Sequence, residues 1–497
     1  MKKGDEVILR IESLAYGGAG IGRVNGAVVF VERAFPGALV RALVLRKKKD
    51  HFLARVAEVL EPSPWEREPF CMHESYCGGC IWQRLDYSAQ IEWKSRQVEE
   101  SLSRIAGLEK SGHVGLPGRH VGLPGRHAGL PLLLPIEPSP LTTYYRNKME
   151  FTFSARRWFR PDEIQNSQNQ GHAMPAGPPL PSCHLGLHIY GAFDRVFDVE
   201  ECFLESPESV DILKTVRSFC KESGLPAYGI YDHSGFWRFL VIKEAKHTGE
   251  RLVHIITKSH PDAEKAIEAL AKSLEELCKS AGITITTLVH STNDQKSQVA
   301  VGENSRIIWG SGSITERCLH INLAISANSF FQTNPFGAEK LYSKIIEWAN
   351  LSGSEEVWDL YCGTGSIALL LAKHARFVIG VELVEDAVKD AQKNAAANGI
   401  ENCIFYAGDI KDVIKTLAHR TPQIVVTDPP RAGMHPKVVK ALLELAPPRI
   451  IAVSCNPTTL ARDVGLLMAK YRIRAVQPFD LFPHTPHVEC LVDLELR

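Results

Sequence analysis

The chain has 497 residues, 44% hydrophobic and 23% charged, which is ordinary soluble globular usage and enough for about three domains of ~150 residues. Its 57 basic side chains are balanced by 57 acidic ones, so overall charge neither marks a nucleic-acid binder nor excludes one, since a local basic face is enough to follow phosphates. No run of ~18 apolar residues is present, and the opening Met1-Lys2-Lys3-Gly4-Asp5-Glu6 lacks the apolar core of a secretory signal. A cytoplasmic enzyme with no membrane partner is therefore expected.

Residues 5–60 read as short strands: Val7–Ile11, then the glycine-rich turn Gly17-Gly18-Ala19-Gly20, then Ala27–Val31, Leu39–Val44 and Ala54–Val59. So many β-rich runs at this spacing predict a small closed barrel of the oligonucleotide-binding kind. The basic run Arg46-Lys47-Lys48-Lys49 reads as a solvated turn between two of them. Pro62, Pro64 and Pro69 mark a linker. Cys71, Cys77 and Cys80 then crowd together, separated by five and two residues, and in a reducing compartment such thiols point to a metal rather than to disulfides. Ser88–Leu108 is predicted helical. A seven-residue repeat beginning His113-Val114-Gly115-Leu116-Pro117-Gly118-Arg119 follows, with copies from His120 and His127, and reads as a surface insertion because its prolines and glycines suit neither helix nor interior strand. The Pro-, Gln- and Asn-rich stretch 160–182 reads as a second loop. Strands and helices alternate from about 136 to 325, with no strong nucleotide-binding signal.

The last third alternates strand and helix as a doubly wound parallel sheet does. The strand Glu356–Tyr361 runs into the tight turn Cys362-Gly363-Thr364-Gly365 and a helix from Ser366 to Lys373. Glycines at such a turn let backbone approach a ligand closely. A second strand, Phe377–Val381, ends at Glu382, 17 residues beyond Gly365, the spacing at which nucleotide-binding folds offer an acid to ribose hydroxyls. A third strand-like piece ends at Asp409, and a fourth, Ile424–Thr427, ends at Asp428-Pro429-Pro430-Arg431. A two-glycine turn is weak by itself. Joined to acids after successive strands, it points to an S-adenosylmethionine site. A further buried strand, Ile450–Ser454, ends at Cys455-Asn456-Pro457 ahead of a helix, whose N–H groups would favour a thiolate at Cys455. Glu489 lies in an otherwise apolar strand after Asp480–His487, and a buried carboxylate is costly unless neutral, paired or working.

Taken together, Gly17-Gly18-Ala19-Gly20-Ile21-Gly22 with Phe30-Val31, Cys77-Gly78-Gly79-Cys80, Phe330-Phe331-Gln332-Thr333-Asn334, Asp359–Gly365, Asp428–Arg431, Ser454–Pro457 and His487-Val488-Glu489 occur in one order across nearly the whole chain. In that order they resemble the RNA uracil-5 methyltransferase family, and within it the 23S ribosomal RNA branch with an N-terminal TRAM domain. The 113–131 repeat and the 160–182 loop depart from the pattern but fall between motifs. The resemblance implies an α/β multidomain chain. It would comprise a TRAM (OB-like) β-barrel over 1–62, an α+β central domain with a metal cluster over 63–325 carrying flexible insertions near 111–131 and 160–182, and a Rossmann-like class I methyltransferase domain over 326–497. It implies Cys455 as nucleophile, Glu489 as general base, and Gln332, Tyr361, Ser366, Glu382, Asp409 and Asp428 as the positions that bind S-adenosylmethionine. The reacting base would have to be unpaired or flipped out of its helix.

For the cysteine cluster, three thiolates need a fourth ligand, with Cys202 and Cys183 as candidates. The resemblance selects Cys202, after the strand Val196–Val199, with Cys183 in reserve, and implies a structural [4Fe-4S] cluster rather than zinc. Transfer-RNA members typically lack both barrel and cluster, so 23S ribosomal RNA is the expected partner of a monomeric enzyme, although some relatives with both features act on other ribosomal uridines or on transfer RNA. Two rival readings are weaker. Asp428-Pro429-Pro430-Arg431 also resembles the tetrapeptide of amino-group nucleic-acid methyltransferases, but those need no nucleophilic cysteine. A non-catalytic RNA-binding module would not retain Cys455, Glu489 and the cofactor positions together.

Overall fold

Alternate burial of Val29, Val31, Val40, Ala42, Val44 and Ala54 makes one face of the N-terminal strands a core, as period-two patterning requires. In the computed structural model, which describes residues 1–108, 132–160, 163 and 183–497, these strands are β1 (Glu6–Arg10), β2 (Ser13–Leu14), β3 (Gly20–Val24), β4 (Ala27–Glu32), β5 (Leu39–Lys47) and β6 (His51–Glu61). They form one sheet in the order β1-β5-β6-β4-β3-β2. The sheet curls onto itself because β1 and β2 are consecutive: β1 pairs with β5 and β2 with β3, and Glu12 N donates to Ile21 O at 2.7 Å. Arg46–Lys49 is the exposed end of β5 and the turn into β6.

The chain divides into two compact units that interleave in sequence. One is Met1–Pro69, Cys80–Thr142 and Phe336–Arg497; the other is Phe70–Gly79 and Thr143–Pro335. The 113–131 repeat and most of the 160–182 loop lie outside the described residues. Helix α1 (Tyr87–Ile105) belongs to the first unit and is capped by Asp86, whose carboxylate accepts Ser88 N at 3.0 Å.

The second unit is built on β7 (Lys148–Ser154), β8 (His184–His188), β9 (Val196–Phe197), α2 (Pro207–Glu222), β10 (Trp237–Glu244), β11 (Arg251–Thr257), α3 (Ala263–Ala281), β12 (Thr287–Thr292) and β13 (Asn304–Trp309). Its sheet runs β13-β12-β11-β10-β7-β8-β9, antiparallel except between β11 and β12, and α2 packs on α3. A separate hairpin, β14 (Ser313–Cys318) and β15 (Ile321–Ser326), completes it.

After α4 (Pro335–Ala349) the last third alternates as expected. It contains β16 (Glu356–Leu360), α5 (Ser366–Ala372), β17 (Phe377–Glu382), α6 (Glu385–Ala397), β18 (Cys403–Ala407), α7 (Ile410–Thr416), β19 (Ile424–Thr427), α8 (Pro436–Leu445), β20 (Arg449–Ser454), α9 (Pro457–Leu467), β21 (Tyr471–Phe479) and β22 (Glu489–Leu496). The sheet order is β18-β17-β16-β19-β20-β22-β21, with β16–β20 parallel and β22 antiparallel to both neighbours. The order reverses at β16, so ligands are expected outside the carboxyl ends of β16, β17 and β19. The mixed α/β architecture and the parallel sheet thus agree with the sequence reading. No helix among the described residues is long and apolar enough to cross a membrane.

Helix α1 packs on α9, placing Val98 and Leu102 in the core of the parallel sheet. Its polar residues Gln90, Lys94 and Gln97 recur at helical spacing and are all buried. Lys94 Nζ donates to Asp480 Oδ1 at 2.6 Å and to Phe482 O at 2.9 Å, with neither side chain of the ion pair exposed. Removing one member of such a pair strands the other without compensation. Lys94→Met is expected to lower the unfolding free energy by ~3–5 kcal/mol in a urea titration; a midpoint equal to wild type would show that Asp480 finds another partner.

Candidate active site

Five carboxyl ends of the parallel sheet converge in the first unit. After β16, Tyr361 turns at φ 67° and Gly363 at φ 53°, and Gly365 at φ 86° starts α5. A Cβ on Gly365 would stand 3.1 Å from Ala391 and 3.0 Å from Phe405, so glycine is required there both for conformation and for space. Glu382 closes the turn, accepting Gly363 N at 3.1 Å and Val384 N at 2.9 Å. Asp409 caps α7 by accepting Lys411 N at 3.2 Å and pairs with the Lys411 ammonium, which with these hydrogen bonds lowers its pKa. Ser366 is buried at the first position of α5, and the Asp428 amide donates to Leu360 O at 3.2 Å. Tyr361, Ser366, Glu382, Asp409 and Asp428, all expected from sequence to hold the cofactor, therefore sit along one edge of one sheet. Gln332 belongs to the other unit, where it is buried and its carbonyl accepts Asn147 Nδ2 at 2.9 Å. Asp359, within β16, is wholly buried, which drives its carboxyl far above the usual range, with Asp428 and Glu382 adding to the effect.

Cys455 and Glu489 come together through strand register. Ser454 of β20 pairs with Cys490 of β22 at the end of the antiparallel ladder, which brings the adjoining Cys455 and Glu489 within electrostatic reach of each other. Asn456 caps α9, its Oδ1 accepting Thr458 N at 3.0 Å, while its Nδ2 donates to Arg431 O at 3.0 Å. That bond ties the loop of the nucleophile to the loop of Asp428. Arg462 and Asp463 clamp the same loop: Asp463 Oδ2 accepts Met434 N at 2.7 Å, and Arg462 Nη2 donates to Ala432 O at 3.1 Å. Gly433, at φ 76°, fits beneath them; a Cβ there would lie 2.5 Å from Arg462 Nη2. Arg462, Asp463 and Gly433 carried no role in the sequence reading, because loop clamping leaves no periodic signal.

The electrostatics differ from the sequence expectation in one respect. The Cys455 thiol is pushed up to about 11, chiefly by burial, then by Glu489 and Asp428, with Arg431 opposing. The N–H groups at the start of α9 do not favour a thiolate, because Asn456 Oδ1 occupies those of Thr458 and Thr459. Glu489 is 3% exposed, and burial, reinforced by Asp428 and opposed by Arg431, raises its carboxyl well above the ordinary range. Its Oε2 has no hydrogen-bond partner among the described residues. The thiol and the carboxyl are thus both shifted toward their protonated forms.

The cysteine group lies mostly in the second unit: Cys71, Cys77 and Cys202 belong to it, and Cys80 to the first. Burial raises the Cys71 thiol to about 11 and the Cys202 thiol to about 12, and Cys77 contributes to both, so Cys71 and Cys202 are each neighbours of Cys77. The sulfur of Cys202 accepts backbone N–H from Leu204 and Glu205, and that of Cys77 accepts Gly79 N at 3.4 Å. Cys183 instead neighbours Cys220. As positioned, no group of three or more His, Cys, Asp or Glu among the described residues stands as a ready metal site.

The strand order, the acid-lined turn after β16 and the edge on which these residues meet are those of an S-adenosylmethionine-dependent methyltransferase. The sequence model described as tRNA (Uracil-5-)-methyltransferase matches residues 248–497. An uncharacterized RNA methyltransferase of Nitratidesulfovibrio vulgaris is 40% identical over 97% of this chain and 94% of its own length, and one from Bacteroides thetaiotaomicron is 39% identical over 97% and 100%. The crystal structure of the Pyrococcus abyssi tRNA (uracil-54, C5)-methyltransferase in complex with S-adenosyl-L-homocysteine superposes with a TM-score of 0.70 at 27% identity, covering 98% of both chains. The chain belongs to the RNA uracil-5 methyltransferase family.

A thiol raised to about 11 should alkylate slowly at neutral pH, and the rate should climb with pH until near that value. Iodoacetamide labelling of Cys455 across pH, followed by peptide mass spectrometry, checks this; a plateau below about pH 9 would show a thiol at its ordinary pKa or lower.

Proposed function

We propose that this protein methylates carbon 5 of a uridine in 23S ribosomal RNA through a covalent bond between Cys455 and carbon 6, with Glu489 as the base. The observation that supports this best is the proximity of Cys455 to a buried Glu489, one of whose oxygens lacks a hydrogen-bond partner among the described residues, on the same edge as Tyr361, Glu382 and Asp428. Carbon 5 of uracil is a poor nucleophile. After its proton passes to solvent, the Cys455 thiolate adds to carbon 6, and the electron pair of the carbon 5–carbon 6 double bond moves into an enolate able to attack an electrophile through carbon 5. S-adenosylmethionine, when bound, supplies the methyl group; Tyr361, Ser366, Glu382, Asp409, Asp428 and Gln332 would hold it. Glu489, ionised beforehand with its proton released to solvent, then takes the proton from carbon 5; the Cys455–carbon 6 bond breaks with its electron pair returning to sulfur, and the ring double bond is restored in 5-methyluridine. A carboxyl with a raised pKa suits this step, because once ionised it is a stronger base than an exposed glutamate. Arg431, whose charge opposes the raised values of both groups, favours their ionised forms.

The closed N-terminal sheet with its Gly17-Gly18 turn supports a TRAM reading for 1–62, which would bind RNA ahead of a central domain over 63–325 and a methyltransferase domain over 326–497. Barrel and cysteine cluster together favour 23S ribosomal RNA. The likeness to the Pyrococcus abyssi enzyme favours a second reading, the same reaction on transfer RNA. We take the enzyme to be a cytoplasmic monomer. Methyl transfer from labelled S-adenosylmethionine to unmodified 23S and transfer RNA decides between the targets, with the product nucleoside identified by mass spectrometry. 5-Methyluridine is expected in 23S RNA, and Cys455→Ala is expected to abolish it; normal turnover in that variant would refute the covalent mechanism.

The same reading assigns Cys71, Cys77, Cys80 and Cys202 to a structural [4Fe-4S] cluster. Its support is the resemblance, together with Cys77 neighbouring both Cys71 and Cys202 and the amides donated to sulfur. The neighbours of Cys183 argue for Cys202 as the fourth ligand. Anaerobically purified protein is expected to contain iron and acid-labile sulfide, with both lost in Cys202→Ala and kept in Cys183→Ala. Zinc in their place would overturn the assignment.

A further inference from the structure

Within the first unit, the turn between β2 and β3 is fastened to the structure that carries Glu489. Ala15 N donates to Ala19 O at 2.8 Å and Gly18 N to Ala15 O at 2.9 Å, making a tight turn with Tyr16 at its tip and left-handed Gly17 and Gly18 behind it. Gln97 of α1 donates to Ala15 O at 3.1 Å, and Trp82 Nε1 donates to Gly18 O at 3.2 Å. A Cβ on Gly18 would stand 3.0 Å from Ile81 and 3.2 Å from Pro486, so the turn lies against the segment that enters β22 three residues later. Trp82 N also donates to His484 O at 2.9 Å.

Tyr16 itself is 40% exposed, and its hydroxyl makes no hydrogen bond among the described residues. The titratable groups within electrostatic reach of it are Cys455, Arg431 and Glu489, all from the opposite end of the sequence. A half-exposed aromatic ring is thus carried on a turn fastened by Trp82, Gln97 and Pro486, within electrostatic reach of the nucleophile and the base, by a domain whose other expected task is to hold RNA. A uridine brought to Cys455 has given up its stacking neighbours, and an aromatic face restores part of that contact without reading base identity.

We propose that Tyr16 is a substrate-positioning residue of the methylation site, its ring packing on the target uridine while carbon 6 is held at the Cys455 sulfur. The inference rests on the uracil-5 reading of that site. It gives the N-terminal domain a direct part in the reaction: the flipped base would be held between groups contributed by both ends of the chain.

The test uses the full-length protein, the RNA methylated by the wild type, and three readouts: kcat and KM for RNA, S-adenosylmethionine affinity by calorimetry, and Tm. Tyr16→Ala is expected to lower kcat/KM for RNA roughly 10- to 100-fold, the loss that one base–aromatic stack implies. Tyr16→Phe should restore it to within about threefold, while cofactor affinity and Tm stay at wild-type values in both variants. Formation of the denaturation-stable adduct with 5-fluorouridine RNA, whose carbon 5 cannot lose a proton, should slow in parallel. Tyr16→Ala within about twofold of wild type would overturn the proposal, as would an equal loss in Tyr16→Phe or a loss that tracks a fall in Tm. If the wild type itself forms no 5-methyluridine and no adduct, the uracil-5 reading fails and takes this inference with it.

Discussion

The first unit is organised around one buried polar seam, the attachment of helix α1 to the segment 480–486. Lys94 reaches Asp480 and Phe482, while Gln90 donates to Leu85 O at 2.7 Å and accepts His484 N at 2.8 Å. His484, at φ 67° and kept neutral by burial that lowers it to about 4, completes the seam. Ionic and amide groups sealed from water tolerate no slack, because each partner lost leaves another unsatisfied in low dielectric. A seam of this kind sets the path of the chain into β22, and hence the place of Glu489. It also carries Trp82 and Gln97, which hold the β2–β3 turn. A small apolar core of Leu14, Phe35, Trp82, Leu85, Ala89 and Trp93 backs the same attachment.

The chemical site is acidic where the sheet ends. Burial raises the Asp359 and Glu489 carboxyls, and like charge adds to it, from Asp428 and Glu382 on Asp359 and from Asp428 on Glu489. The outcome is a site with two groups, the Cys455 thiol and the Glu489 carboxyl, both displaced toward their protonated forms. A cationic ligand would relieve that repulsion, and a sulfonium is such a cation. Arg431 is exposed and faces both groups, and its main chain is fixed by Asn456, so its charge is available without the loop having to be rebuilt on binding.

Interleaving of the two units has a consequence for the cysteine group. The segment 70–79 is taken into the second unit while Cys80 returns the chain to the first. Two of the closely spaced thiols therefore share a unit with Cys202, although Cys202 is far from them in sequence. Amides of Leu204 and Glu205 turned onto its sulfur are a local feature that no spacing rule contains.

Much of the parallel sheet was legible in the chain, since strands such as Ile424–Thr427 and Ile450–Ser454 are short apolar runs ended by Asp-Pro-Pro or Cys-Asn-Pro. Those punctuating residues have only a few backbone solutions, so the turns, the helix caps at Asp409 and Asn456 and the acids at strand ends follow from local chemistry. The protonation of Cys455 was not legible. A helix start predicts a stabilised thiolate, and it took the fold to show that Asn456 occupies those amides and that Glu489 lies within electrostatic reach of the thiol. Nor could the sequence assign Tyr16, Arg462 or Gly433, whose importance lies wholly in which distant loops they meet. The sequence alone determined the element types, the turn chemistry and the family-bearing motifs, because these depend on neighbours within a few residues. Only the tertiary structure decided which carboxyls are buried together, which amides are already spent and which ring comes within reach of the nucleophile, because burial and long-range register exist only once the chain has folded.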